Sequence, residues 1–118
     1  DQELQKGGLH DQVVTMVMSE FGRPLRPNSS GGTDHGWGNH FWVMGGPVNG
    51  NRLFGQMPSL VPGGPDDMGD DGLGRWVPTT ATDQIAASVM EWFGLPRSAF
   101  PKVFAHLQNF PNQTLDMF

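Results

Sequence analysis

The residues best suited to chemistry sit in one loop, Gly32-Thr33-Asp34-His35-Gly36-Trp37-Gly38-Asn39-His40. Two imidazoles and a carboxylate can converge on one cation from such a loop, because glycine permits the tight turns and close approach that ligation needs. The competing reading is a plain turn, with the Asp34 carboxylate capping backbone amides and His35 solvated. Glu20 is a second candidate, as a carboxylate ligand or general base; a salt bridge to Arg23 or an amide cap accounts for it equally well. Arg23 suits bidentate recognition of an anionic substrate oxygen, although such an arginine more often pairs with an acid.

Other constellations point less sharply. Asp66-Asp67-Met68-Gly69-Asp70-Asp71-Gly72 has the composition of a calcium loop but lacks the spacing and closing Glu of an EF-hand, which favours a solvated acidic loop. Tryptophans at 37, 42, 76 and 92 suggest a sugar platform. A helix stripe accounts for Trp92, a strand for Trp42 and an edge segment for Trp76, leaving Trp37 as the loop aromatic without a structural reason. His10 and His106 take no role. No Gly-x-Ser-x-Gly elbow or phosphate-binding glycine loop is present.

These side chains need elements to hold them. Val13-Val14-Thr15-Met16-Val17-Met18 is apolar or β-branched without alternation, the pattern of a strand buried on both faces in a parallel sheet covered by helices. Ser19 to Arg23 then fall at its carboxyl end, where open α/β sheets place ligands. Residues 1 to 6 read as a last helical turn, with Lys6 at its C-terminus and Gly7-Gly8 as a left-handed cap. Pro24 to Asn39 is loop. Phe41 to Met44 is a short second strand, and Asn49-Gly50 between hydrophobics signals a hairpin. A second long loop runs from Pro58 to Gly74, and Arg75 to Pro78 is an edge segment. The best helix follows, with hydroxyl caps from Thr80 or Thr82, an apolar stripe of Ile85, Val89 and Trp92 with Ala86 and Phe93, and Gly94 and Pro96 closing it. Its expected task is to cover the sheet. Ser98 to Leu107 predicts one more short helix, with Pro101 in its first turn.

The bulk composition sets limits. The 118 residues include 17 glycines and 10 prolines, nearly a quarter of the chain against roughly an eighth in average proteins. They separate apolar runs, which means shaped loops on a scaffold. Twelve acids face seven scattered bases for a net charge of −5, so no basic face offers itself to nucleic acid. No apolar stretch approaches the roughly 20 residues that span a bilayer. With no cysteine, disulfides and thiolate sites are excluded, and a metal would be held by His and carboxylates, favouring zinc, manganese, calcium or magnesium.

Three segments together carry a resemblance: Thr15-Met16-Val17-Met18-Ser19-Glu20-Phe21-Gly22-Arg23, then Gly31-Gly32-Thr33-Asp34-His35-Gly36-Trp37-Gly38-Asn39-His40, then Val77-Pro78-Thr79-Thr80. The chain is similar, over nearly its whole length, to the C-terminal part of a large bacterial family of sulfatase-like proteins of unknown function (domain of unknown function 1501) within the alkaline phosphatase superfamily. That resemblance implies an α/β fold with a mixed sheet, flanking helices and long Gly/Pro-rich loops. It also implies hydrolysis of sulfate or phosphate esters at a centre of one or two divalent metals, with a Ser, Thr or modified Cys nucleophile. In the superfamily an Asp-His pair follows a late strand and a further metal-binding His lies in the next loop. Glu20 falls where the Asp of that pair would be, and His35 where the later His would be. Phe21 occupies the place of the paired histidine. Either His40 or Asp34 substitutes for it, or the family has one metal or none.

Family members are longer, and the chain begins at Asp1-Gln2-Glu3-Leu4 without a basic or apolar leader. The expectation is therefore a single partial domain over residues 1 to 118, the C-terminal portion of a larger one. The nucleophile, the early acidic ligands and any export signal would lie upstream, with a periplasmic location open for the whole protein. Such a segment should be inactive alone, its anionic ester substrate belonging to the full-length protein. The alternative is a non-catalytic binding or structural protein on the same fold. A strand cut from its sheet leaves unpaired edges, so a homo-oligomer is expected.

Overall fold

In the computed structural model, which describes residues 1 to 69 and 71 to 118, helices and a small sheet alternate with long loops. Helix α1, Gln2–Lys6, closes as the glycine pair requires. The Gly8 amide donates to Gln5 O and the Leu9 amide to Leu4 O, with Gly8 at φ +68 in the left-handed region. This is a Schellman closure, open to Gly8 because it has no Cβ.

Strands β1 (Val14–Val17) and β2 (Trp42–Gly45) pair as a two-stranded sheet. The end of β2 lies against the start of β1, where a Cβ on Gly45 would collide with the Val13 carbonyl, so the strands run antiparallel. The expectation of a strand buried on both faces is corrected here. Burial alternates along β1, Val17 is 53% exposed, and on β2 Trp42 is 67% exposed. An apolar run becomes a doubly covered strand only where further strands and helices lie over both faces. Among the described residues β2 is the one partner of β1. Among the described residues, the Asn49-Gly50 step likewise turns the chain without a following strand. Its Asn49 amide donates to the Met117 carbonyl instead of to a hairpin partner.

Helix α2, Thr82–Trp92, starts as expected but is capped differently. No hydroxyl caps it; the Gln84 side-chain oxygen accepts from the Ala81 amide. Its fully buried face is Gln84, Ala87 and Ser88, whereas Phe93 is 76% exposed. The reason is what it packs against. Instead of covering the sheet, α2 sits against the C-terminal segment: Ser88 Oγ donates to Gln84 O and accepts from the Leu115 amide, and Gln84 Nε2 donates to Asn112 O. A small face admits that backbone at hydrogen-bond distance, and a stripe of large side chains would hold it away. The Trp92 and Phe118 rings stack at 5.4 Å. Helix α3, Phe100–Val103, carries Pro101 in its first turn and is flanked by single 3-10 turns at Arg97–Ala99 and Leu107–Asn109.

The chain divides into two compact units. One comprises Asp1–Thr15, Met44–Gln56 and Thr80–Phe118 and contains the apolar core, where Ala87, Phe100 and Leu107 cluster with Leu95 and Phe104 packed on them. Met117 is buried in the same unit. The other comprises Met16–Val43 and Met57–Thr79 and carries all five candidate site residues. No helix among the described residues is long and apolar enough to cross a membrane.

The packing separates two phenylalanines sharply. Phe100→Ala should cost about 3–5 kcal/mol in urea unfolding, a large share of the stability of a domain this size, and Phe93→Ala less than about 1 kcal/mol. Equal losses would mean that α2 buries the stripe read from its sequence.

Candidate functional site

The site starts where β1 ends. Beyond Met18 the chain runs to Phe21-Gly22-Arg23 and meets the returning loop backbone to backbone. The Gly36 amide donates to Gly22 O at 2.8 Å, and Asn39 Nδ2 donates to Phe21 O at 3.3 Å. Gly22 is buried, and a Cβ there would overlap the Gly38 carbonyl. A Cβ on Gly36 would lie 3.0 to 3.1 Å from the backbone of Gly22 and Arg23, and one on Gly38 would lie 2.9 Å from Trp76 O. None of these three glycines has a positive φ. They are required for close approach between main chains, not for turning.

Asn28 shapes the loop between them. Its backbone amide donates to Gly32 O at 2.7 Å, and its Oδ1 accepts from the amides of Ser30 and Gly32, both at 3.0 Å. Its Nδ2 then donates to Asp34 Oδ1 at 3.0 Å. Sequence reasoning passed over Asn28. The available signal was an Asn placed before Ser-Ser-Gly-Gly, a side chain suited to folding such a turn back on itself.

Arg23 crosses the loop. Its Nη1 donates to Thr33 O at 2.9 Å and to Asp34 O at 3.4 Å, and its guanidinium lies over the Phe21 ring at 5.2 Å. The Phe21 and His35 rings are 4.5 Å apart and tilted by 33°. The structure thus brings Phe21, Arg23, Asp34 and His35 together, on the solvent-exposed side of the unit. Glu20 is exposed and forms no hydrogen bond or ion pair with Arg23, Asp34, His35 or His40 among the described residues. His40 is also exposed, and its backbone amide donates to Asn39 Oδ1. Among the described residues no three His, Asp or Glu side chains gather where one ion could be held. Asp34 is bonded to Asn28, and the His35 ring lies tilted against Phe21.

The second loop supports the first. Asp67 accepts from three backbone amides, Gly63 at 2.9 Å, Gly74 at 3.0 Å and Arg75 at 2.7 Å. It also bridges antiparallel to Trp76, whose carbonyl accepts from the Gly38 amide at 2.9 Å. Asp66 accepts from the Ser59 amide, and Asp71 forms a two-bonded pair with Arg75. These acids organise backbone within a loop that is itself largely exposed; Asp70 lies outside the described residues. The Gly63 amide above all, with those of Arg75 and Gly74, holds the Asp67 carboxyl below its ordinary pKa against the opposing effect of burial. Hydrogen bonds from N–H groups favour the ionised form.

A model of a family described as protein of unknown function (DUF1501) matches residues 1–66, which include β1, β2 and the whole loop from Gly22 to His40. No curated protein and no solved structure matches the chain.

Gly22→Ala should lower the free energy of unfolding in urea well beyond a surface substitution, by roughly 1–3 kcal/mol or more, because the clash is with backbone that cannot rotate away. For Asp67, a folded pKa below the unfolded one means stability present above the ordinary carboxylate pKa and lost as pH falls through the folded value. Asp67→Asn should therefore be less stable than the natural chain at neutral pH, with the gap closing below about pH 4. A gap independent of pH would exclude the charge as its source.

Proposed function

The chain belongs to the family of proteins of unknown function DUF1501, and we propose that it forms one wall of an anion-binding site on a sulfatase-like scaffold for sulfate or phosphate esters, without turnover of its own. One observation carries this reading: the strand end at Phe21–Arg23 meets the Asp34-His35 loop, with the Phe21 and His35 rings 4.5 Å apart. By resemblance to the alkaline phosphatase superfamily, these are the strand end and the next loop that carry ligands of the reaction centre. Arg23 supplies the charge. A guanidinium has five N–H donors in a fixed fork, and its Nη1 is the nitrogen bonded to the loop carbonyls. Its remaining edge suits two oxygens of a sulfate or phosphate. Any nucleophile and further ligands would come from outside these 118 residues.

A second reading, a non-catalytic binding or structural protein on the same fold, draws support from Phe21. It stands where the paired histidine would be, and a phenyl ring ligates nothing.

The purified chain should release no product from aryl sulfates or aryl phosphates with zinc, manganese or calcium added. In an NMR titration with sulfate and with inorganic phosphate, amide shifts should centre on Arg23, Asp34 and His35. Hydrolysis by the chain itself, or shifts confined to other residues, overturns the reading.

A further inference from the structure

We infer that the Arg23 guanidinium takes the place of a bound cation in the Asp34-His35 loop, so that the loop is built and held without metal. The inference concerns the same site as the reading above and deepens it.

A metal ion organises a loop by drawing several oxygen or nitrogen lone pairs toward one positive charge. Here Arg23 already does this, its Nη1 donating to the carbonyl oxygens of Thr33 and Asp34 at 2.9 and 3.4 Å. The loop's own acid and imidazole each have a protein partner. Asp34 Oδ1 accepts from Asn28 Nδ2, itself fixed by its turn, and the His35 ring packs on Phe21. Glu20 and the His40 ring do not join them to complete a set of three among the described residues.

Electrostatics acts in the same direction. A divalent ion drawn to Asp34 would enter beside the guanidinium cation, and like charges repel. Phe21 completes the arrangement. Its ring receives the guanidinium at 5.2 Å and the imidazole at 4.5 Å, and a phenyl ring offers no lone pair to an ion. Gly22, Gly36 and Gly38 need no ion either, since each meets protein backbone.

The test is thermal melting of the purified chain, stripped with chelator and then titrated with zinc, manganese and calcium. A ligand that binds only the folded state raises the midpoint by mass action. The expected result is the same midpoint in chelator and in excess of each metal, with Arg23→Ala lowering it by several degrees and Arg23→Lys recovering only part. Lys offers one point charge in place of the fork. A rise in the natural chain's midpoint with metal that His35→Ala abolishes would overturn the inference, as would an unchanged midpoint in Arg23→Ala. Should Arg23→Ala fail to fold, the metal titration of the natural chain decides alone. The anion titration described above reports on the site's ligand and is independent of this outcome.

Discussion

The approach of Gly22 to Gly38 constrains everything around the candidate site. Their main chains lie so close that a single Cβ on Gly22 would occupy the space of the Gly38 oxygen. From that contact the neighbours take their places. Gly36 donates back to Gly22, Phe21 and Arg23 flank the junction on either side in sequence, and Arg23 comes within reach of the Thr33 carbonyl. On its other side Gly38 donates to Trp76, which belongs to the segment whose amides Asp67 collects. A carboxylate some thirty residues downstream thus helps fix the motif loop, through two backbone steps and no side chain of the motif itself.

Two kinds of cohesion divide the molecule. The unit containing α2 and α3 closes over buried Phe100, Leu107 and Met117, an apolar core driven by removal of area from water. Among the described residues, the unit containing the site has no fully buried large apolar side chain and relies on main-chain bonds, Asn28, Asp67 and Arg23. Such bonds contribute about 1 kcal/mol each net of competition with water, but leaving one unmade when its group is buried costs more. Cohesion of this kind fixes geometry well while contributing little surplus stability. Sites that must present side chains to solvent are commonly drawn from such regions.

What the sequence made legible follows from how local each cause is. The closure of α1 at Gly7-Gly8 and the limits of α2 rest on neighbours a few residues apart, and both could be read directly. The position of β1 could be read from its apolar run, but not its burial, because that depends on what lies over it. The buried face of α2 was misread for a related reason: the stripe of large residues is real, yet its partner is a backbone segment near Leu115, which only Ala87 and Ser88 admit. At the site, the motif residues were recognisable by type. Their bonding was not, because Asn28 lies outside the motif and Phe21 was read only as a missing histidine.

That last point bears on why the loop resembles a metal site at all. Glycine lets main chain approach a carbonyl oxygen as closely as it lets ligands close on an ion, and the approach of Gly22 to Gly38 is of the first kind. Spacing alone therefore does not separate the two cases. What separates them is the sign of the charge already present. A ligand loop gathers carboxylates and imidazoles around a place left for a cation, whereas in this loop a guanidinium is bonded to the loop's own carbonyls at 2.9 and 3.4 Å. An arginine three residues past the Glu20 position thus carries as much information about the loop's chemistry as its histidine does.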